Sequence, residues 1–246
     1  MQQKEIIYGR HPVVDAIQAS VSLERVYIQK GLRGEIEVEL RHLTKSRNIP
    51  FLVVPRERLQ KFTQANHQGV VALRSPVQYY RLADVLPLIY EKGEVPLFLL
   101  LDGITDVRNV GAIARSAELC GVHALVLPNK GGALINADAL KTSAGALSRL
   151  SVCREPSLLT ATRLLIDSGV QVLAGSLKAS EYLHHIDLTA PTAFVLGSEG
   201  DGISTPIARS ASKLFKIPQV GESDSFNVSV AAGIMLYEGM RQRLPK

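Results

Sequence analysis

The chain has no tryptophan, two cysteines and three methionines, and aromatic residues make up only 5% of it. Cys120 and Cys153 form no CxxC pair and have no histidine cluster beside them. Neither a disulfide framework nor a zinc site is supported, both thiols read as core residues, and no metal is expected. The apolar run over residues 96–101 is far too short to span a bilayer. The opening MQQKEIIYGRH has no apolar core of the kind a signal peptide needs, so no membrane partner and a cytoplasmic location are expected. There is no internal repeat, no low-complexity tract and no GxxxxGK[ST] phosphate loop. The one GxG, at Gly200 and Gly202, is followed by Thr205 where a dinucleotide-binding turn requires a third small residue.

What is present is a globular composition, 46% hydrophobic over 246 residues, enough for one large domain or two modest ones. The net charge of +5 is unevenly spread. Residues 1–75 hold 12 Lys and Arg against 7 Asp and Glu, whereas residues 76–246 hold 16 of each. A basic small domain beside a neutral larger one suits a polyanion grip joined to a chemical or ligand-binding domain. An ordinary solvated surface accounts for the same excess.

In chain order, residues 25–28, 51–54 and 70–73 are β-rich and residues 35–47 favour helix, which predicts a compact α/β module. Its polar signals are Arg10 and His11 in GRHP, before a helix, and His67 and Gln68 in NHQG, before a strand. These residues suit phosphate or base contacts, and the same stretches are also plain turn sequences. Residues 76–95 read as a linker carrying a helix at 82–91; within it Tyr79, Tyr80 and Arg81 either stack on RNA or dock on a domain. From residue 96 onward, apolar strands at 97–101, 124–127, 170–174, 193–196 and 214–217 alternate with helices. Continuous apolar strands separated by helices predict a parallel sheet covered on both faces.

Three stretches carry polar groups at strand ends. In LDGITDVRNVGAIARSAELCGV, Asp106 and Asn109 can cap a helix whose buried stripe is Val110, Ile113, Ala114, Ala117 and Cys120. Arg115 lies off that stripe, where an ion pair with Glu118 at i+3 is the plain expectation. In FVLGSEGDGIS, Gly197, Gly200 and Gly202 permit close backbone approach and Glu199 sets a carboxylate at the strand end. In IPQVGESDSFNVSVAAGIMLYEGM, Ser223, Ser225 and Asn227 crowd the turn into a long helix, as caps or as part of a ligand site. Between the first two, KTSAGALSRL has small residues suited to close helix or ligand contact.

NVGAIAR, GSEGDG and SFNVSVAAGIMLYE, in this order and at these separations, resemble the three motifs of the SpoU family of RNA ribose 2′-O-methyltransferases. IYGRHPV and HQGV resemble the small RNA-binding domain of the branch that methylates a guanosine of 23S ribosomal RNA. The resemblance implies an α/β architecture with a small basic RNA-binding domain over 1–75, a linker over 76–95, and a parallel-sheet methyltransferase domain over 96–246 tied in a deep trefoil knot. It implies S-adenosylmethionine as cofactor, held by Gly175, Ser176, Gly197, Ile217 and Phe226, with Asn109, Arg115, Glu199, Ser225 and Asn227 at the catalytic positions. Arg10, His11, His67 and Gln68 fall on the RNA side. Val107 and Phe226 depart from residues common in the family, Pro and Leu, without removing a polar group.

Methyl transfer to a ribose hydroxyl needs the oxygen aligned and its developing charge stabilised. A guanidinium is a poor proton acceptor, so Arg115 is expected to stabilise the oxyanion while a substrate phosphate or water takes the proton. The last helix is apolar on more than one side, at Val228, Val230, Ile234, Met235, Leu236, Tyr237 and Met240, which fits the homodimers of the family or a helix buried within one large domain. A transferase acting on transfer RNA or on another ribosomal nucleotide, and a noncatalytic RNA-binding assembly protein, are the alternatives.

Overall fold

The predicted alternation of strands and helices folds into two units, Met1–Val77 and Gln78–Lys246, in a computed structural model that describes residues 6–245.

The first unit runs β1 (Ile6–Tyr8), α1 (Arg10–Gln18), β2 (Leu23–Gln29), α2 (Glu35–Ser46), β3 (Phe51–Val54), α3 (Arg56–Gln60) and β4 (Val70–Arg74). Its sheet has the order β1-β4-β2-β3, with β2 and β3 parallel and the other pairs antiparallel. Side chains alternate across β2 because successive residues of a strand point to opposite faces. Val26 and Ile28 therefore join Val13, Ile17 and Leu40 of the helices, while Tyr27 packs with Leu59 and Phe62 on the other side. Gly9, at φ +96°, turns β1 into α1 through a conformation that favours glycine.

The second unit opens with β5 (Tyr79–Tyr80), α4 (Leu82–Glu91), β6 (Leu97–Leu101), α5 (Val107–Leu119) and β7 (Ala124–Pro128). It continues through α6 (Ala137–Thr142), α7 (Ala146–Arg149), β8 (Ser151–Glu155), α8 (Leu158–Asp167), β9 (Gln171–Gly175) and β10 (Glu181–Tyr182). β11 (Thr192–Leu196), α9 (Thr205–Ser210), β12 (Lys213–Lys216) and α10 (Val228–Arg243) complete it. Eight strands form one sheet in the order β10-β12-β9-β11-β6-β7-β8-β5, every pair parallel. All five residues of β6 and of β11 are buried, as a doubly covered parallel sheet requires. Phe98, Leu100 and Val195 meet α4, α8 and α9 through Leu82, Leu86, Leu158, Leu165 and Ile207. On the opposite face α10 packs on α5 and β11; a side chain at Gly239 would come within 3.4 Å of Phe194 Cε2.

The expected linker is not a linker. Residues 78–95 belong to the second unit, where β5 extends the sheet beside β8 and α4 buries Leu82, Val85, Leu86 and Ile89. The connection is made by burial of charged groups. Arg154 is 4% exposed and its guanidinium lies 3.5 Å above the Tyr79 ring, while Glu155 Oε1 accepts the Leu82 N–H at 2.7 Å. β8 itself escapes sequence reading because Arg154 and Glu155 interrupt what would be an apolar run. Burial pushes the Glu155 carboxyl above its ordinary value.

Candidate active site

The three polar stretches meet at the carboxyl ends of neighbouring parallel strands. β6 is followed by Asp102, β11 by Gly197 and β12 by Ile217, with β9 and its terminal Gly175 between β11 and β12. Such a crevice is where open α/β sheets bind ligands, since helix N-termini and free backbone N–H groups converge there.

Asp106, rather than Asn109, caps α5 by accepting the Arg108 N–H at 2.7 Å. Asn109 is thereby left in the first turn of the helix with its side chain available. Asn227 caps α10 by accepting from Ser229 N at 3.0 Å and from Ser229 Oγ at 2.6 Å. Its other amide atom, Nδ2, donates to Glu199 Oε1 at 2.8 Å. The same oxygen accepts from Asn109 Nδ2 at 3.4 Å and from the Val228 N–H at 3.5 Å. The Glu199 carboxylate thus sits at the positive end of α10, gathering one group from α5 and two from the start of α10. Asn109, Glu199 and Asn227, expected to act together, are brought together.

Arg115 and Ser225 are not drawn into this cluster. Both are exposed, and among the described residues neither side chain has a hydrogen-bond or ion-pair partner. The expected Arg115–Glu118 ion pair does not form, because Glu118 Oε1 instead takes Arg149 Nε at 2.7 Å.

The Gly-rich turn is shaped first by its own backbone. A Cβ on Gly197 would lie 2.1 Å from the Gly202 carbonyl carbon, because Ser198 and Gly202 exchange two backbone hydrogen bonds and fold the turn back over the strand end. The turn itself therefore requires a residue without a side chain at Gly197. Gly175 has ordinary room, its nearest neighbour for an added Cβ being Phe215 Cζ at 3.6 Å. Ser176 donates its N–H to Phe215 O at 2.7 Å, while its Oγ accepts the Lys178 N–H at 3.3 Å and its carbonyl accepts the Ala179 N–H at 3.1 Å. Ile217 borders a cavity of ≈ 380 Å³ with Leu183, His184, Pro218, Ile234 and Tyr237, and Phe226 is 39% exposed in the loop before α10. The cavity's apolar wall stands beside the end of β12 and suits the adenosine part of a nucleoside cofactor.

In the first unit Arg10, His11, His67 and Gln68 border one cavity of ≈ 790 Å³, together with Arg56 and Gln60. Arg10 donates Nε to Gln68 O and its backbone N–H to Gln68 Oε1, both at 3.2 Å. The buried His67 accepts the Gly69 N–H on Nδ1 at 3.0 Å, a local structural task. His11 is exposed.

The sequence pattern of the SpoU rRNA Methylase family matches residues 96–237, the stretch that carries all three strand ends. The chain belongs to the SpoU family. A second pattern, RNA 2′-O ribose methyltransferase substrate binding, matches residues 6–80. Among SpoU relatives, the Photorhabdus laumondii 23S rRNA (guanosine-2′-O-)-methyltransferase RlmB is 36% identical over 241 residues, covering 97% of this chain and 98% of that one. The Bacillus subtilis putative TrmH family tRNA/rRNA methyltransferase YacO is 31% identical, covering 99% and 98%. The chain spans 63% of the Synechocystis uncharacterized tRNA/rRNA methyltransferase slr0955, at 36% identity over 97% of its own length. Among solved SpoU structures, the AdoMet-bound rRNA methyltransferase of Sinorhizobium meliloti superposes with a TM-score of 0.63 at 27% identity, covering 98% of this chain and 88% of that one.

Three residues that shape the elements around the Glu199 cluster escaped sequence reading. Asp102 Oδ2 accepts the Ser204 N–H at 2.7 Å and so ties the end of β6 to the Glu199 turn; its place at a strand end was the available signal. Gly111 lets α5 and α6 touch, since a Cβ there would lie 2.6 Å from Ala139 O; a glycine inside a helix was the signal. Arg149 carried no signal, because its partner Glu118 is 31 residues away. Among the described residues no group of three or more His, Cys, Asp and Glu is placed to hold a metal, and no helix is long and apolar enough to cross a membrane.

Proposed function

We propose that this chain transfers a methyl group from S-adenosylmethionine to the 2′-hydroxyl of a guanosine ribose in 23S ribosomal RNA. The observation that carries this reading is the convergence of Asn109, Glu199 and Asn227 at the carboxyl ends of the sheet with Arg115 left free on α5. Membership of the SpoU family and the RlmB relatives support the reaction and the substrate.

Bound S-adenosylmethionine supplies an electrophilic methyl group on a sulfonium. The strand-end residues Gly175, Ser176, Gly197, Ile217 and Phe226 would hold it, with the apolar wall at Ile217 excluding water. Arg115 stabilises negative charge on the ribose oxygen as its proton departs, its exposed fork also suiting an adjacent phosphate. A substrate phosphate or water accepts that proton, because a guanidinium does not. Glu199 fixes Asn109 and the first turn of α10 by taking their N–H groups, which sets the geometry of both substrates. Ser225, exposed beside Phe226, is free to contact the substrate.

The first unit holds the RNA, through Arg10, His11 and Gln68 around a polar cavity, with His67 shaping its rim. The protein acts in the cytoplasm as a homodimer. On α10 the buried stripe is Val228, Ala232, Met235, Leu236 and Gly239, whereas Val230 and Tyr237 are 49% and 59% exposed one above the other at i and i+7. This second stripe is the surface for the partner subunit. The strand order, with β9 next to β11 and β12, suits the trefoil knot of the family.

Parallel incubations with unmodified 23S RNA and with unmodified transfer RNA, each with methyl-labelled S-adenosylmethionine and followed by digestion to nucleosides, test the reading. Labelled 2′-O-methylguanosine that disappears with Arg115→Ala is the expected result. Label on a base atom overturns the mechanism, and label on transfer RNA alone overturns the substrate.

A further inference from the structure

Resting on that function, we infer that Arg149 is a positioning residue that keeps Arg115 available for substrate by occupying Glu118. Arg115 and Glu118 stand three residues apart on α5, the spacing at which a helix brings opposite charges into contact. Left to the helix alone they would pair, and an Arg held by a neighbouring carboxylate must break that pair before it can meet a phosphate or an oxyanion.

The tertiary structure removes this competition. Arg149, at the end of α7, donates Nε to Glu118 Oε1 at 2.7 Å, and this hydrogen bond pulls the Glu118 carboxyl below its usual value. The approach depends on the KTSAG turn. Ala144 and Gly145 both adopt left-handed backbone, at φ 49° and 84°, and Arg149 Nη1 lies 3.2 Å from where a Cβ of Gly145 would sit. The bare glycine leaves the guanidinium its path. The small residues of this stretch thereby acquire a task. They let α7 lie close to α5 with a cation aimed at Glu118.

The test measures Arg115 directly. Phenylglyoxal modification of Arg115, mapped by peptide mass spectrometry, is compared in the wild type, Arg149→Ala, Arg149→Lys and the double variant Arg149→Ala/Glu118→Gln. Because the pairs are exposed, the expected change is modest, with Arg115 modification slowing about two- to fivefold in Arg149→Ala. It returns to the wild-type rate in the double variant, and Arg149→Lys stays near wild type. Methyl-transfer kcat on the same preparations follows the same order, with KM for S-adenosylmethionine unchanged. If Arg149 merely staples α7 to α5, the double variant behaves like Arg149→Ala, and the inference falls. An unchanged Arg115 rate in Arg149→Ala overturns it equally. If the labelling pattern holds while no protein, wild type included, methylates RNA, the arrangement stands and the proposed function fails.

Discussion

Asn227 Nδ2 donates to Glu199 Oε1 at 2.8 Å while Asn227 Oδ1 accepts the Ser229 N–H at 3.0 Å, so one amide both caps α10 and fixes the carboxylate of another strand end. An amide carries its donor and its acceptor on two separate atoms, so asparagine serves both partners at once, whereas a serine has a single oxygen for both tasks and an ionised aspartate has no donor.

The two tasks separate by substitution. Asn227→Ser keeps a capping oxygen and loses the donor to Glu199, so thermal stability stays near wild type while single-turnover methylation falls at least about tenfold. Asn227→Ala loses both, and urea denaturation should show a further loss of about 1 kcal/mol.

The strand-end glycines differ in kind. Gly197→Ala forces a Cβ to 2.1 Å from backbone that cannot rotate away, and chemical denaturation should show a loss of about 3 kcal/mol or more. Gly175→Ala meets only ordinary contacts, so stability should change by less than about 1 kcal/mol. Calorimetric titration with S-adenosylmethionine should nonetheless show weaker binding for Gly175→Ala.

Asp102 holds the Glu199 turn through the Ser204 N–H. Asp102→Asn retains an acceptor and should keep most of the methylation rate. Asp102→Ala leaves that N–H to water and should lower kcat severalfold, with a stability loss of about 1 kcal/mol in urea.

Acid stability should depend on Glu238. Its hydrogen bond from Arg241, helped by Gln242, holds the carboxyl at about 2, against an ordinary 4.5. A lowered folded value means the folded state favours the ionised form. The contribution is therefore complete above pH 4.5 and lost as pH falls from there toward 2. Arg241 is 56% exposed, so solvent screens the pair and the effect is small. Urea midpoints measured between pH 7 and pH 2.5 should fall less steeply for Glu238→Gln than for the wild type.

Much of this architecture was legible in the chain because it rests on local regularities. Runs such as LFLLL, separated by helical periods, determine a parallel sheet covered on both faces, since only burial on both sides makes continuous apolar strands stable. The three strand-end motifs likewise announce their turns through glycine, serine and asparagine, whose backbone preferences are intrinsic. The unequal charge of the two parts of the chain is also a property of composition alone.

Tertiary structure decided what depends on distant partners. Tyr79 and Leu82 join the second unit because Arg154 and Glu155, about 75 residues later, offer a stacking cation and a capping carboxylate. Glu118 turns from its helical neighbour Arg115 to Arg149 on another helix. Asn109, Glu199 and Asn227 are separated by 90 and 28 positions, yet they share one oxygen. Helical spacing and apolar periodicity are short-range and can be read along the chain, whereas the choice among competing charged partners is made only when packing brings the strand ends together.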